Sequence, residues 1–103
     1  MGSLACGTGR VAIELTARGI RSVGVDLDRD MIERAQRKAP GIEWQCADLA
    51  TISMGRLFPV VVMAGNVLLY ARPQDRDAIV ANLSAHVAPG GELVAGFSLE
   101  PGG

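Results

Sequence analysis

Short, almost wholly apolar runs alternate along this chain with longer segments of helical spacing, and few folds accept that order. The runs are Ser22 to Asp26 (S-V-G-V-D), Ile42 to Cys46 (I-E-W-Q-C), Val60 to Ala64 (V-V-V-M-A) and Glu92 to Phe97 (E-L-V-A-G-F). Each is too short and too apolar for an independent surface helix. Parallel strands covered on both faces read this way. Ile42, Trp44 and Cys46 share one face of their run, which puts Trp44 on the inward side. Pro59 stands at the start of the third run, where a strand tolerates proline.

The segments between them carry helix signals. Arg10 to Arg18 stacks Val11 over Leu15 and stops at Gly19, a natural left-handed cap. Met31 to Ala39 follows Asp28 and Asp30, either of which can cap it, and Asp30 with Glu33 has capping-box spacing. This helix places Met31, Ala35 and Ala39 on one face and ends at Pro40-Gly41. Asp75 to Val87 spaces Ile79, Leu83 and Val87 four apart and runs into Pro89-Gly90-Gly91. Ala47 to Leu57 holds at most a short turn. The alternation predicts an α/β domain with a parallel sheet, and 103 residues suit one domain over 1–103.

Composition narrows the function classes. With 49% apolar and 20% charged residues the chain is globular rather than disordered. A net charge of −1 gives no electrostatic reason to expect nucleic acid or an anionic membrane as partner. Cys6 and Cys46 are too few for a disulfide framework, and with a lone histidine they lack zinc spacing, so no metal is expected. No apolar run approaches the roughly 20 residues that cross a bilayer, and the first ten residues lack a signal-peptide core. The expectation is a soluble, cytoplasmic domain. Oligomeric state is not legible.

C-G-T-G-R-V-A at Cys6 to Ala12 is the first segment with chemical content. Gly7 and Gly9 permit a tight turn and a close backbone approach, while a helix from Arg10 aims unpaired N–H groups at whatever docks. With Ala12 in third place it fits G-x-G-x-x-G/A, a pattern that an ordinary glycine turn before a helix also satisfies. Asp26 ends the next strand. Ligands of open α/β sheets sit beyond the carboxyl ends of strands, and an acid there can accept from both ribose hydroxyls. It can equally be a loop acid, although Asp28 and Asp30 are better placed to cap. Asp48, two residues beyond the strand bearing Trp44, is a third such point or a solvated turn residue.

Taken together, L-A-C-G-T-G-R, V-G-V-D-L-D-x-x-M-I-E-R-A, C-A-D-L, V-V-V-M-A-G-N and L-S-A-H-V-A-P-G-G-E-L-V resemble the class I S-adenosylmethionine-dependent methyltransferases over nearly the whole chain. The resemblance implies a Rossmann-like, doubly wound parallel sheet in three α/β/α layers. It implies S-adenosylmethionine as cofactor and a methyl acceptor, expected to be a small molecule. Ala5, Cys6, Gly7, Thr8 and Gly9 would form the loop around the methionine part. Asp26 would hold the ribose hydroxyls, with Leu27 and Met31 against the adenine. Asp48 would accept from the adenine amino group beside Leu49. Gly65 and Asn66 would line the floor where the methyl group is presented.

The departures from the family are local. The family places an apolar strand before the glycine loop, usually ending in an acid where this chain has Ser3. Only Met1 to Leu4 precede Ala5, at most a stub of that central strand, so its two neighbours are expected to lack a partner. Ala5 stands for a frequent glycine and Pro59 for a common aspartate, and the chain closes in E-P-G-G where the family adds strands. A truncated fragment, unstable in isolation, is the simplest expectation.

The remaining chemistry-bearing residues are ambiguous or bland. Cys6 reads as a small apolar side chain under the turn, and His86 as a surface or helix-end residue away from the cofactor edge. Tyr70 reads equally as a cover over the acceptor pocket or as packing. No catalytic base is assigned. Two other functions stay open: a nicotinamide or flavin dinucleotide domain, which the glycines and Asp26 alone permit, and an inactive remnant.

Overall fold

All four side chains of Ser3–Cys6 are buried, and this segment, β1, is the centre of the sheet. It pairs in parallel with β2 (Ser22–Asp26) on one side and with β4 (Phe58–Ala64) on the other. Leu4 lies opposite Val23 and Val61, and Ala5 opposite Gly24 and Val62. The first strand expected to be missing is therefore present, drawn from Ala5 and Cys6 as much as from the residues before them. Two flanking ladders offer partners to every peptide of the segment, and small side chains fit the space between them. The computed structural model describes residues 2–7, 9–64, 67 and 71–97.

β3 (Glu43–Cys46) extends the sheet beyond β2, and β5 (Val87–Phe97) extends it beyond β4. The order is β3-β2-β1-β4-β5 with every described pairing parallel. Chain direction across the sheet reverses between β1 and β4, the switch point at which such sheets open a crevice. The expected α/β architecture is observed. Among the described residues no helix is long and apolar enough to cross a membrane.

Register divides β1 between two cores. Leu4 and Cys6 face a large cluster with Val25, Met63, Phe58 and, from the covering segments, Leu49, Ile52, Ile79 and Leu83. Ala5 and Val62 face Val11 and Ala12 of α1 (Gly9–Ala17). Ala5 and Ala12 are both fully buried, so this helix lies close to the sheet. Where the family usually has an acid, the Ser3 hydroxyl sits 3.0 Å from that of Ser22, which also donates to the Ile20 carbonyl at 3.2 Å. The one Ser22 proton is spent on Ile20, so Ser3 is the donor within the pair. A buried polar position is satisfied without charge.

α2 (Arg29–Lys38) is capped by Asp28, whose carboxylate accepts from the Asp30 and Met31 N–H groups. Asp30 is inside the helix, and Arg37 and Lys38 complement the dipole at its far end. Its buried residues are Ile32 and Ala35, whereas Met31 is 37% exposed. The expected face was thus one residue out at its start. α3 (Pro73–Ser84) starts with proline in its first turn and buries Ile79 and Leu83 as their spacing predicts. It ends three residues before Val87, which instead opens β5. That strand absorbs Pro89-Gly90-Gly91 through a register shift, with Gly90 at φ +81.

Trp44 explains the glycine inside β2. Gly24 is its register partner, and a Cβ on Gly24 would overlap the indole ring. The ring nitrogen donates to the Ala39 carbonyl at 2.9 Å, closing α2 onto the edge of the sheet. Trp44 is only partly buried, because β3 is the outer strand. Gly24→Ala is expected to lower stability by about 1–3 kcal/mol, the usual cost of overpacking. Chemical denaturation checks this, and an unchanged midpoint would show that the indole moves aside freely.

Candidate functional site

The carboxyl ends of three neighbouring strands meet here, and those of β2 and β3 lead into tight, hydrogen-bonded turns. β1 leads into Gly7, whose N–H donates to the Val25 carbonyl at 2.9 Å and prolongs the ladder by one residue. Gly7 then takes φ +97, and a Cβ there would overlap the Val67 side chain. Only glycine satisfies both the backbone angle and the space.

β2 ends at Asp26. One carboxylate oxygen, Oδ1, accepts from the Asp28 N–H at 3.0 Å, an Asx turn that fixes the side chain against its own backbone. The turn is held from β3 as well: the Ala47 N–H donates to the Asp26 carbonyl at 2.9 Å, and the Cys46 thiol to the Leu27 carbonyl at 3.3 Å. Leu27 is left 67% exposed at the apex, an apolar side chain in want of a cover. Beyond β3, Asp48 repeats the device. Its Oδ1 accepts from the Ala50 N–H at 2.9 Å, and its carbonyl accepts from Thr51 and Ile52. Among the described residues, the second oxygen of Asp48 has no hydrogen-bond partner, while the Asp26 carboxylate is approached by the Leu27 N–H as well as by that of Asp28.

These strand ends open on one cleft of about 620 Å³, lined by Gly7, Asp26, Leu27, Asp28, Asp48, Leu49 and Ala50, and also by Val67, Ala71, Arg72, Asp75 and Ile79. Arg72 pairs with Asp75 at 2.9 Å. Four carboxylates therefore face one guanidinium among the described lining residues. Burial pushes the Asp26 carboxyl above its usual range and the nearby Asp28 carboxylate adds to this, while N–H bonds from Asp28 and Leu27 pull the other way. Beneath the glycine turn, burial pushes the Cys6 thiol up to about 12, reinforced by the Asp26 carboxylate. Cys6 is a packed thiol, not a nucleophile.

Of the residues singled out in the sequence, Gly7, Asp26, Leu27, Asp48 and Leu49 meet at the cleft. Ala5 and Cys6, expected in the loop, are the last two residues of β1, and Gly9 is the first of α1. Met31 lies in the first turn of α2 and outside the lining. Thr8, Gly65, Asn66 and Tyr70 fall outside the described residues. His86 is corrected: it is remote from the cleft but buried, at 7% exposure. Its Nε2 accepts from the Met54 N–H at 3.1 Å, so Nδ1 carries the proton that binds the Asn82 carbonyl at 2.8 Å. The far wall from Ala71 to Ile79 was missed. Arg72-Pro73 reads as a helix start following a strand, and the switch-point rule would have placed it over the crevice.

A family match decides what this arrangement belongs to: the family described as methyltransferase domain matches residues 3–91. The chain belongs to the methyltransferase domain family. That family uses S-adenosylmethionine. A similar relative is the dTDP-3-amino-3,4,6-trideoxy-alpha-D-glucopyranose N,N-dimethyltransferase of Streptomyces venezuelae, 30% identical over 92 residues, covering 88% of this chain and 39% of that protein. The cypemycin N-terminal methyltransferase of a Streptomyces species is 33% identical, covering 85% of this chain and 37% of that protein. An amino pentose methyltransferase of Micromonospora echinaspora, solved with S-adenosylmethionine bound, superposes with a TM-score of 0.81 at 29% identity, over 90% of this chain and 41% of that one. The chain thus spans about two fifths of the length of these relatives, and its five-stranded parallel sheet is the Rossmann-like fold of the family.

The raised Asp26 pKa has a consequence for the methyltransferase domain itself. A carboxyl whose folded pKa exceeds its unfolded value contributes its stability below the unfolded pKa and loses it as pH rises through the folded one. At neutral pH the ligand-free fold therefore carries the cost of a charged Asp26. Asp26→Asn, which keeps an oxygen for the Asp28 N–H, is expected to raise the melting temperature at pH 7, with the gain vanishing as pH falls below the carboxylate range. A melting temperature lower than wild type at pH 7 would contradict this.

Proposed function

We propose that this chain forms the S-adenosylmethionine site of a methyltransferase acting on a small-molecule acceptor. The observation that carries the reading is the convergence on one cleft of Gly7, Asp26 and Asp48, each at or just beyond the end of a different strand, with both aspartates in fixed turns. Gly7 would let backbone approach the amino-acid part of the cofactor. The second oxygen of Asp26 would accept from the ribose diol and that of Asp48 from the adenine amino group. Leu27, exposed without a ligand, would cover the base from one side, with Leu49 opposite.

Charge favours this ligand over a dinucleotide. Four carboxylates against one guanidinium repel a pyrophosphate and attract a cation. The cofactor supplies a sulfonium whose methyl carbon is already electrophilic. What the chain contributes is placement: orientation of donor and acceptor is worth up to about 7–11 kcal/mol of a barrier. Ala71, Arg72 and Asp75 line the same cleft and would be the residues that meet an acceptor. Relatives named for dTDP-amino sugars support a small-molecule acceptor.

Calorimetric titration of the purified protein separates the readings. S-adenosylhomocysteine is expected to bind and NAD not to. Asp26→Ala should weaken S-adenosylhomocysteine binding by about tenfold or more, since hydrogen bonds to a charged group are worth about 1.5–3 kcal/mol. Asp48→Ala should cost less, because adenine is also held by Leu27 and Leu49. Tighter binding of NAD, or negligible losses in both variants, would overturn the assignment.

A further inference from the structure

α3 meets the cleft region twice. Its first turns wall the cleft with Arg72, Asp75 and Ile79. Three residues beyond Ile79, outside the lining, Asn82 reaches to the loop that begins at Asp48. The side-chain amide of Asn82 donates to the Leu49 carbonyl at 2.9 Å and to the Ile52 carbonyl at 2.8 Å. Both of its hydrogens are thereby committed to a single turn of chain. The anchorage continues through His86, which takes the Asn82 carbonyl on Nδ1 and the Met54 N–H on Nε2, and whose own carbonyl accepts from Phe58 at 2.7 Å.

The turn so held carries Asp48 and Leu49 at its start, and its geometry decides where both point. Asp48 accepts from the Ala50 N–H through its side chain and from the Ile52 N–H through its carbonyl. The Leu49–Ala50 peptide, whose carbonyl Asn82 grips, is the same planar unit whose N–H holds the Asp48 carboxylate. We propose that Asn82 is a positioning residue for base recognition: by bridging the Leu49 and Ile52 carbonyls it holds Asp48 and Leu49 in the arrangement that selects adenine. This rests on the cofactor reading above. Asn82 touches no ligand in this arrangement and acts only through the turn.

The chemistry of the bridge is specific. Two carbonyl oxygens can be spanned by an NH2 group but not by a carboxylate of the same shape, which has no hydrogen to offer. Asn82→Asp preserves volume and turns two bonds into two repulsions. Asn82→Ala removes the bridge without adding charge, and serves if the aspartate variant folds poorly.

The test measures affinity for S-adenosylhomocysteine and for S-inosylhomocysteine, in which an oxygen replaces the adenine amino group. Wild type is expected to favour the adenosyl ligand. Both variants should lose about five- to tenfold in adenosyl affinity, the scale of one displaced hydrogen bond, while inosyl affinity hardly changes, so that discrimination collapses. Amide exchange at Ala50 and Ile52 should quicken, and exchange at Gly7, bonded to β2, should not. Equal losses for the two ligands would mark Asn82 as merely structural, and undiminished discrimination would remove its role altogether; either overturns the proposal. Wild type that fails to bind S-adenosylhomocysteine would overturn the cofactor reading instead.

Discussion

The two ladders on either side of β1 are the constraint on which the rest depends. Four residues, Ser3 to Cys6, are paired on both edges and buried on both faces. A strand in that position leaves no room for large side chains beneath α1, and Ala5 against Ala12 meets the condition. It also leaves no room for an unpaired polar group, a condition that Ser3 and Ser22 meet by bonding to each other. Unpaired ladder groups in such a centre would each cost about 1–3 kcal/mol, against domain stabilities of only about 5–15 kcal/mol. The shortness of β1 is tolerable because nothing along it is left unmatched.

The same strand sets the site. Its end at Gly7 lies between the ends of β2 and β4, so that Gly7, the Asp26–Asp28 turn and Val67 line one crevice. Asp26 and Asp48 each use one carboxylate oxygen to lock their own turns, and the other oxygen of Asp48 has no partner among the described residues. Holding Asp26 half-buried beside Asp28 disfavours its charge. A site whose described lining sets four carboxylates against one guanidinium, that of Arg72, suits a ligand that brings hydrogen-bond donors and positive charge.

Much of this was legible in the sequence. The outer strands and the switch to a parallel α/β order follow from apolar runs and caps, and the Asp26 and Asp48 positions follow from strand ends. β1 was not legible, because Ser, Leu, Ala and Cys make no distinctive strand signal and gain one only between two existing ladders. Trp44 was read as core, but its role depends on register: it lies over Gly24, a pairing that no local pattern announces. His86 was misread for a related reason. Its partners, Met54 and Asn82, belong to a loop and a helix brought together only by the crossover into β4. Met31 lies off the buried face because Ile32, three residues before Ala35, takes the inward position in the first turns of α2.

The proposed cofactor site is one preformed unit assembled from three strand ends distant in sequence. Backbone amide mapping by NMR, with and without S-adenosylhomocysteine, tests it most directly. Gly7, the Leu27-Asp28 peptide and the Leu49-Ala50 peptide are predicted to respond together and to saturate at a single dissociation constant. Responses confined to one turn, or centred instead around Arg56 and Leu57 on the groove beside His86, would contradict it.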